Sequence, residues 1–105
     1  IRLDRSRSLD KDSFEPVEAP VLDTLMGVEG PEAFRFNDRE EWCLMVDRFA
    51  EDKGYLPLLS GDFGSGVFRI PEEGEYDLGR TKKRHGGIMN LTEEEYTALT
   101  EKYGK

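Results

Sequence analysis

At 105 residues the chain has the size of one domain, with room for a single modest hydrophobic core. Hydrophobic and charged residues each make up 36%, a polar composition that still carries enough aromatic and aliphatic side chains to fold. With 23 Asp and Glu against 15 Lys and Arg, the net charge of −8 repels phosphate backbones and anionic lipids and argues against nucleic-acid and membrane partners.

Residues 1–27 combine Arg2, Asp4, Arg5, Arg7, Asp10, Lys11, Asp12, Pro16 and Pro20 with few apolar neighbours and no helical or strand periodicity, which predicts an extended arm or long loop. From Val28 the texture changes to short apolar runs divided by Gly, Pro, Asp and Asn, and residues 28–105 are read as consecutive short strands closed by a helix. Strands are expected at Glu32–Phe36, Glu41–Phe49, Tyr55–Ser60, Gly66–Ile70 and Gly87–Leu91. Turn signals lie between them at Asn37-Asp38, Asp52-Lys53-Gly54, Gly61–Gly64 and Pro71–Gly74. Loops this short favour antiparallel hairpins over parallel crossovers, so the expected fold is an all-β antiparallel meander. The Glu41–Phe49 run also suits a helix face, but its shortness and turn-rich flanks favour a buried strand, in which the lone Cys43 is an inert buried thiol. At the C-terminus, Thr92 and Glu95 form a capping box, Glu93–Glu95 suit a helix N-terminus, and Tyr96, Leu99 and Tyr103 share a face before Gly104, predicting a short helix over 92–103.

Glu29 is the sharpest candidate for chemistry. Gly30 removes bulk beside its carboxylate, and Pro31 biases the backbone before it towards extended geometry, giving a rigid acid that a ligand can approach. Among 23 acidic residues, local sequence alone does not separate it from a solvated surface glutamate. Arg84-His85-Gly86-Gly87 is the second feature, holding the only histidine beside bare backbone. No zinc spacing surrounds His85, and no Ser or Cys sits in a nucleophile setting. Gly61-Asp62-Phe63-Gly64-Ser65-Gly66 lies between two strands and reads as a turn, not a phosphate cradle. Asp47, ending the apolar run, reads as a strand-end structural carboxylate, with an inward position near a site as the alternative.

The order Val28-Glu29-Gly30-Pro31, Trp42-Cys43-Leu44-Met45-Val46-Asp47, Gly54-Tyr55-Leu56-Pro57, Arg84-His85-Gly86 and Thr92-Glu93-Glu94-Glu95-Tyr96 resembles the C-terminal part of family 43 glycoside hydrolases over roughly residues 25–103. The resemblance implies about two blades of a five-bladed β-propeller and a secreted or periplasmic enzyme that releases arabinose or xylose units from plant polysaccharides. It places the family's general acid on Glu29 and its axial histidine on His85. In some members that histidine helps to hold a calcium ion or water beneath the sugar pocket, and the resemblance makes its neighbour Arg84 a candidate for contact with the sugar. The chemistry requires no cofactor. The family's general base and its pKa-tuning aspartate come from earlier blades, and no segment here matches either. Because five blades cannot be built from 105 residues, and the chain opens on Ile1, it is read as part of a longer enzyme, inactive alone, whose partners are the carbohydrate substrate and the remaining blades. Inverting hydrolysis needs a protonated acid and a base on opposite sides of the sugar. Two rival readings are a non-catalytic carbohydrate-binding or sheet-pairing module, with Trp42, Tyr55 and Phe68 as stacking surfaces, and a complete small interaction protein.

Overall fold

A computed structural model describes residues 1–104. The chain opens with a two-stranded antiparallel hairpin, β1 (Asp4–Arg5) and β2 (Glu15–Pro16), and a single helical turn, α1 (Pro20–Asp23), which starts on a proline suited to a first helical position. An antiparallel meander follows, of β3 (Glu29–Arg35), β4 (Trp42–Asp47) and β5 (Tyr55–Ser60) in that order across the sheet. Helix α2 (Glu93–Tyr103) closes the described chain. The architecture is therefore mostly antiparallel β with a short C-terminal helix.

Strand β4 is central and covered on both faces, which is why it reads as an unbroken apolar run. Leu44 and Val46 lie with Leu56 and Leu58 of β5 on one face, where Ala19, Leu22 and Phe68 complete the cluster. Cys43, Met45 and Tyr55 occupy the other face, joined by Phe34, Phe36, Leu59 and Leu78. Val46 and Leu58 are fully enclosed, each stabilising the fold by roughly 1.5–3 kcal/mol relative to an exposed position.

Residues 1–27 are more than an extended arm. They carry the hairpin and α1, and Ala19 and Leu22 are buried in the main cluster with Leu3, Val21 and Leu25 packed against it. Gly66 shows how closely the segment is seated. Its φ is +70°, and an added Cβ would collide with the backbone oxygen of Glu18.

Two expected strands do not form. Across Gly66–Ile70 only Arg69 pairs, in one antiparallel bridge to Leu59, because left-handed Gly66 precedes it and Pro71 ends the run without an N–H to donate. Gly87–Leu91 runs beside β3, but side chains rather than a backbone ladder tie it there. The Ile88 amide donates to Glu32 Oε1 at 3.1 Å, and the Asn90 amide donates to the Arg35 carbonyl at 2.7 Å. The capping box at α2 is as expected: Glu95 N–H donates to Thr92 Oγ1 at 3.2 Å and Thr92 N–H to Glu95 Oε2 at 2.8 Å. Tyr96, Leu99 and Tyr103 nevertheless stay exposed, and α2 buries no residue.

Candidate active site

Antiparallel register sets the site. Glu29 at the start of β3 lies opposite Asp47 at the end of β4, while Glu32 lies opposite Met45. Two residues of β3, Gly30 and Pro31, thus lie opposite the single Val46 of β4, forming a β-bulge. Gly30 takes a φ of +55°, and a Cβ built there would lie 2.5 Å from His85 Cδ2 and 2.6 Å from Nε2. The imidazole occupies the space that the missing side chain leaves, so glycine is required here for both its backbone angle and its size.

The segment carrying His85 is tied to the first residue of β5. Tyr55 N–H donates to the Lys83 carbonyl at 2.9 Å, and Gly86 N–H donates to Tyr55 Oη at 2.7 Å. Tyr55 is buried, which makes it a firm anchor. Between these two ties, Arg84 donates from Nε to Asp47 Oδ2 at 3.1 Å and from Nη1 to Asp52 Oδ1 at 3.0 Å. His85 Nε2 stands 3.3 Å from Glu29 Oε1 and 3.3 Å from Asp47 Oδ2.

Like charges opposite each other on neighbouring strands repel, and a buried carboxylate needs a partner. Asp47 is 0% exposed, and Arg84 supplies its counter-charge while His85 stands between it and Glu29. Asp47 Oδ1 has no hydrogen-bond partner among the described residues. Asp52 ties Arg84 from the solvent side, and Lys82, followed by Arg84, holds its carboxyl below the usual carboxylate range. The Glu29 side chain is 49% exposed, so it combines a fixed position with access from outside.

A family model described as a probable glycosyl hydrolase domain, related to glycoside hydrolase family 43, matches residues 1–97. The chain belongs to this family. No curated protein and no solved structure matches it. The match takes in residues 1–27, the segment that the fold seats against its core.

In this glycosyl hydrolase domain the elements expected at the site, Glu29 and Arg84-His85, come together although they are far apart in sequence. Asp47, for which the sequence left both a structural role and an inward position near a site open, is the residue they converge on. The unbroken apolar run of β4 held the signal, since an aspartate at the end of a run buried on both faces has little water to turn to. Of the aromatic residues considered as sugar platforms, Tyr55 and Phe68 are buried, whereas Trp42 stays exposed and packs on Phe63 with ring centroids 5.6 Å apart.

Glu29, Asp47 and His85 place one donor atom each within 4.8 Å of one another. Calcium takes about six to eight oxygen ligands, and two carboxylates with one imidazole fall well short. Arg84, already in contact with Asp47 Oδ2, adds a fixed positive charge beside any cation. The donor set fits calcium poorly.

Proposed function

We propose that this glycosyl hydrolase domain supplies the general acid of an inverting enzyme acting on arabinose- or xylose-containing polysaccharides, with Glu29 as the proton donor. The observation that carries the reading is the convergence of a half-exposed Glu29 with His85 and the Arg84-bound, buried Asp47. Around it, each residue has a mechanical task. The bulge at Gly30 aims the Glu29 carboxylate, His85 packs into the bulge, and Arg84 neutralises Asp47 while half of its own side chain stays open towards a sugar.

Glu29 would protonate the departing glycosidic oxygen, so that the leaving sugar departs as an alcohol. The base that activates water is a separate group. In inverting glycosidases the two carboxyl groups stand roughly 6.5–9.5 Å apart to admit that water, and in retaining ones roughly 5–5.5 Å apart. Glu29 and Asp47 approach within 4.8 Å, too close for an intervening water, and Asp47 is sealed from solvent and therefore unsuited to act as nucleophile. In this reading the base belongs to other blades of the same enzyme, and the β3–β5 meander, extended by the Leu59–Arg69 bridge, is one blade of that propeller.

The test uses the enzyme carrying this chain and two series of aryl arabinofuranosides and xylosides. Glu29→Gln should lower kcat on substrates with poor leaving groups by about 10²–10⁴-fold, the usual contribution of a positioned acid. Dinitrophenyl glycosides, which depart without a proton, should lose far less, and the sugar released should have inverted anomeric configuration. The 105-residue chain alone should turn over neither series. Equal loss on both leaving-group classes, or none on either, refutes the role of Glu29.

A further inference from the structure

Beside the acidic cluster lies a groove of about 230 Å³ with the opposite charge. Arg48, Lys53, Arg80, Lys82 and Lys83 line it, and no carboxylate does. The walls are completed by Tyr55 and Tyr76, with Leu78 and Gly79. In a chain of net charge −8 such a gathering is unexpected, and its source is local: Arg80-Thr81-Lys82-Lys83-Arg84 holds four of the 15 basic residues.

Internal partners account for only part of this charge. Lys53 pairs with Glu51 and Lys82 with Asp52, both at exposed positions. Arg48 spends its guanidinium on the carbonyls of Gly54, Lys53 and Tyr55, which take its hydrogen bonds but not its charge. Lys83 Nζ reaches only Thr81, and Arg80 has no ion-pair partner among the described residues. Like charges held this close repel one another, and an anion in the groove would relieve them.

The groove shares a wall with the candidate active site. Tyr55 lines it, pairs across the sheet with Asp47, and accepts the Gly86 amide. Lys83 lines it too, and the next two residues are Arg84 and His85. A polysaccharide placed at Glu29 would have a neighbouring unit within reach of the cations.

We propose that this groove binds the anionic substituent of a polysaccharide chain, the carboxylate of a uronic acid or a sulfate ester, and that it selects charged over neutral substrates. The choice of a saccharide as the carrier rests on the glycosidase reading above, whereas the anion preference rests on the groove alone. Isolated anionic groups on an otherwise neutral chain suit the site better than a polyphosphate, which the net negative charge of the domain repels at range. Charge-assisted hydrogen bonds from lysine and arginine supply the affinity, and salt weakens it.

Titration of the purified chain, followed by calorimetry and by amide chemical shifts, tests this with five probes: a neutral xylo-oligosaccharide, the same oligosaccharide bearing one glucuronic acid, a singly sulfated analogue, free glucuronate and inorganic sulfate. At least one anionic oligosaccharide should bind about tenfold or more tightly than the neutral one, the factor expected of a single charge-assisted contact. The preference should fade as salt is raised. Arg80→Glu/Lys83→Glu should abolish it, Lys102→Glu on α2 should leave it intact, and Arg80→Gln/Lys83→Gln serves if charge reversal lowers the melting temperature. Whether the uronate or the sulfate binds more tightly identifies the anion. Equal affinity for neutral and charged chains, or no anion binding at all, overturns the proposal. If free glucuronate or sulfate shifts the groove amides while no anionic oligosaccharide does, the proposal of a saccharide-borne anion is overturned, whereas the glycosidase reading is judged separately by the Glu29→Gln leaving-group series. Neutral binding at Glu29 with no anion preference overturns the groove proposal alone.

Discussion

Replacing Gly30 by alanine perturbs the candidate site without altering any of its charges. Two costs are separable. The first is conformational: a φ of +55° in a residue with a Cβ costs roughly 1–2 kcal/mol, whatever lies nearby. The second is steric. The new methyl carbon would stand 2.5 Å from His85 Cδ2 and 2.6 Å from Nε2, far inside van der Waals contact, so the ring must leave. The His85 side chain is 55% exposed and can swing outward, which caps this cost below that of a clash with backbone. A total near 2–3 kcal/mol is expected, and at about 4–8 °C per kcal/mol for a domain of this size the melting temperature should fall by roughly 8–24 °C. The assay is a double-mutant cycle by urea unfolding, with Gly30→Ala, His85→Ala and the pair. In the His85→Ala background the steric part vanishes, and Gly30→Ala should cost only the conformational part, leaving a coupling of about 0.5–1.5 kcal/mol. Additive costs, within about 0.3 kcal/mol, would show that the ring does not pack on Gly30 and would remove the geometric basis of the site.

Two further outcomes follow from burial. Asp47→Ala removes the carboxylate that pairs Arg84, and the loss should approach 3 kcal/mol, the low end for breaking a buried pair because Arg84 keeps a solvent-facing side; unfolding in denaturant measures it, and a loss below about 0.5 kcal/mol would mean that the pair is not formed. Burial pushes the Cys43 thiol up to about 11 from an ordinary 9.0, against a smaller opposing pull from its hydrogen bond with the Leu58 backbone. The folded state therefore holds the proton more tightly than the unfolded chain, so this contribution to stability is present below pH 9 and is lost as pH rises from about 9 towards 11. Iodoacetamide at pH 8 should modify the native chain far more slowly than the urea-unfolded one, and a Cys43→Ala variant should show a shallower fall in stability across that pH window.

Local sequence was informative wherever short-range chemistry decides. Thr92 and Glu95 fix the start of α2 because each satisfies the other's backbone amide within one turn. Tyr55–Ser60 and most of β4 were legible as short apolar runs between turn residues, and Glu29-Gly30-Pro31 pointed to a rigid, approachable acid. The same local cues misled at Gly66–Ile70 and Gly87–Leu91, where strand-like composition lacks a backbone ladder to join. Burial of Ala19 and Leu22 was likewise hidden, since a helical turn of four residues, Pro20–Asp23, is too short to show a period.

The charge balance is set by composition, and the hairpin-length loops of the meander and the C-terminal cap are properties of residues within a few positions of one another, so all of these were legible in the sequence by itself. Only the tertiary structure brought Glu29, Asp47, Arg84 and His85 into one cluster, made Asp47 its buried centre, and set the cationic groove beside it. The physical reason lies in register and in two side-chain ties. Which strand residue faces which, and where Tyr55 holds the Lys83–Gly86 segment, are fixed by packing and hydrogen bonds between distant parts of the chain, and nothing in a local pattern specifies them.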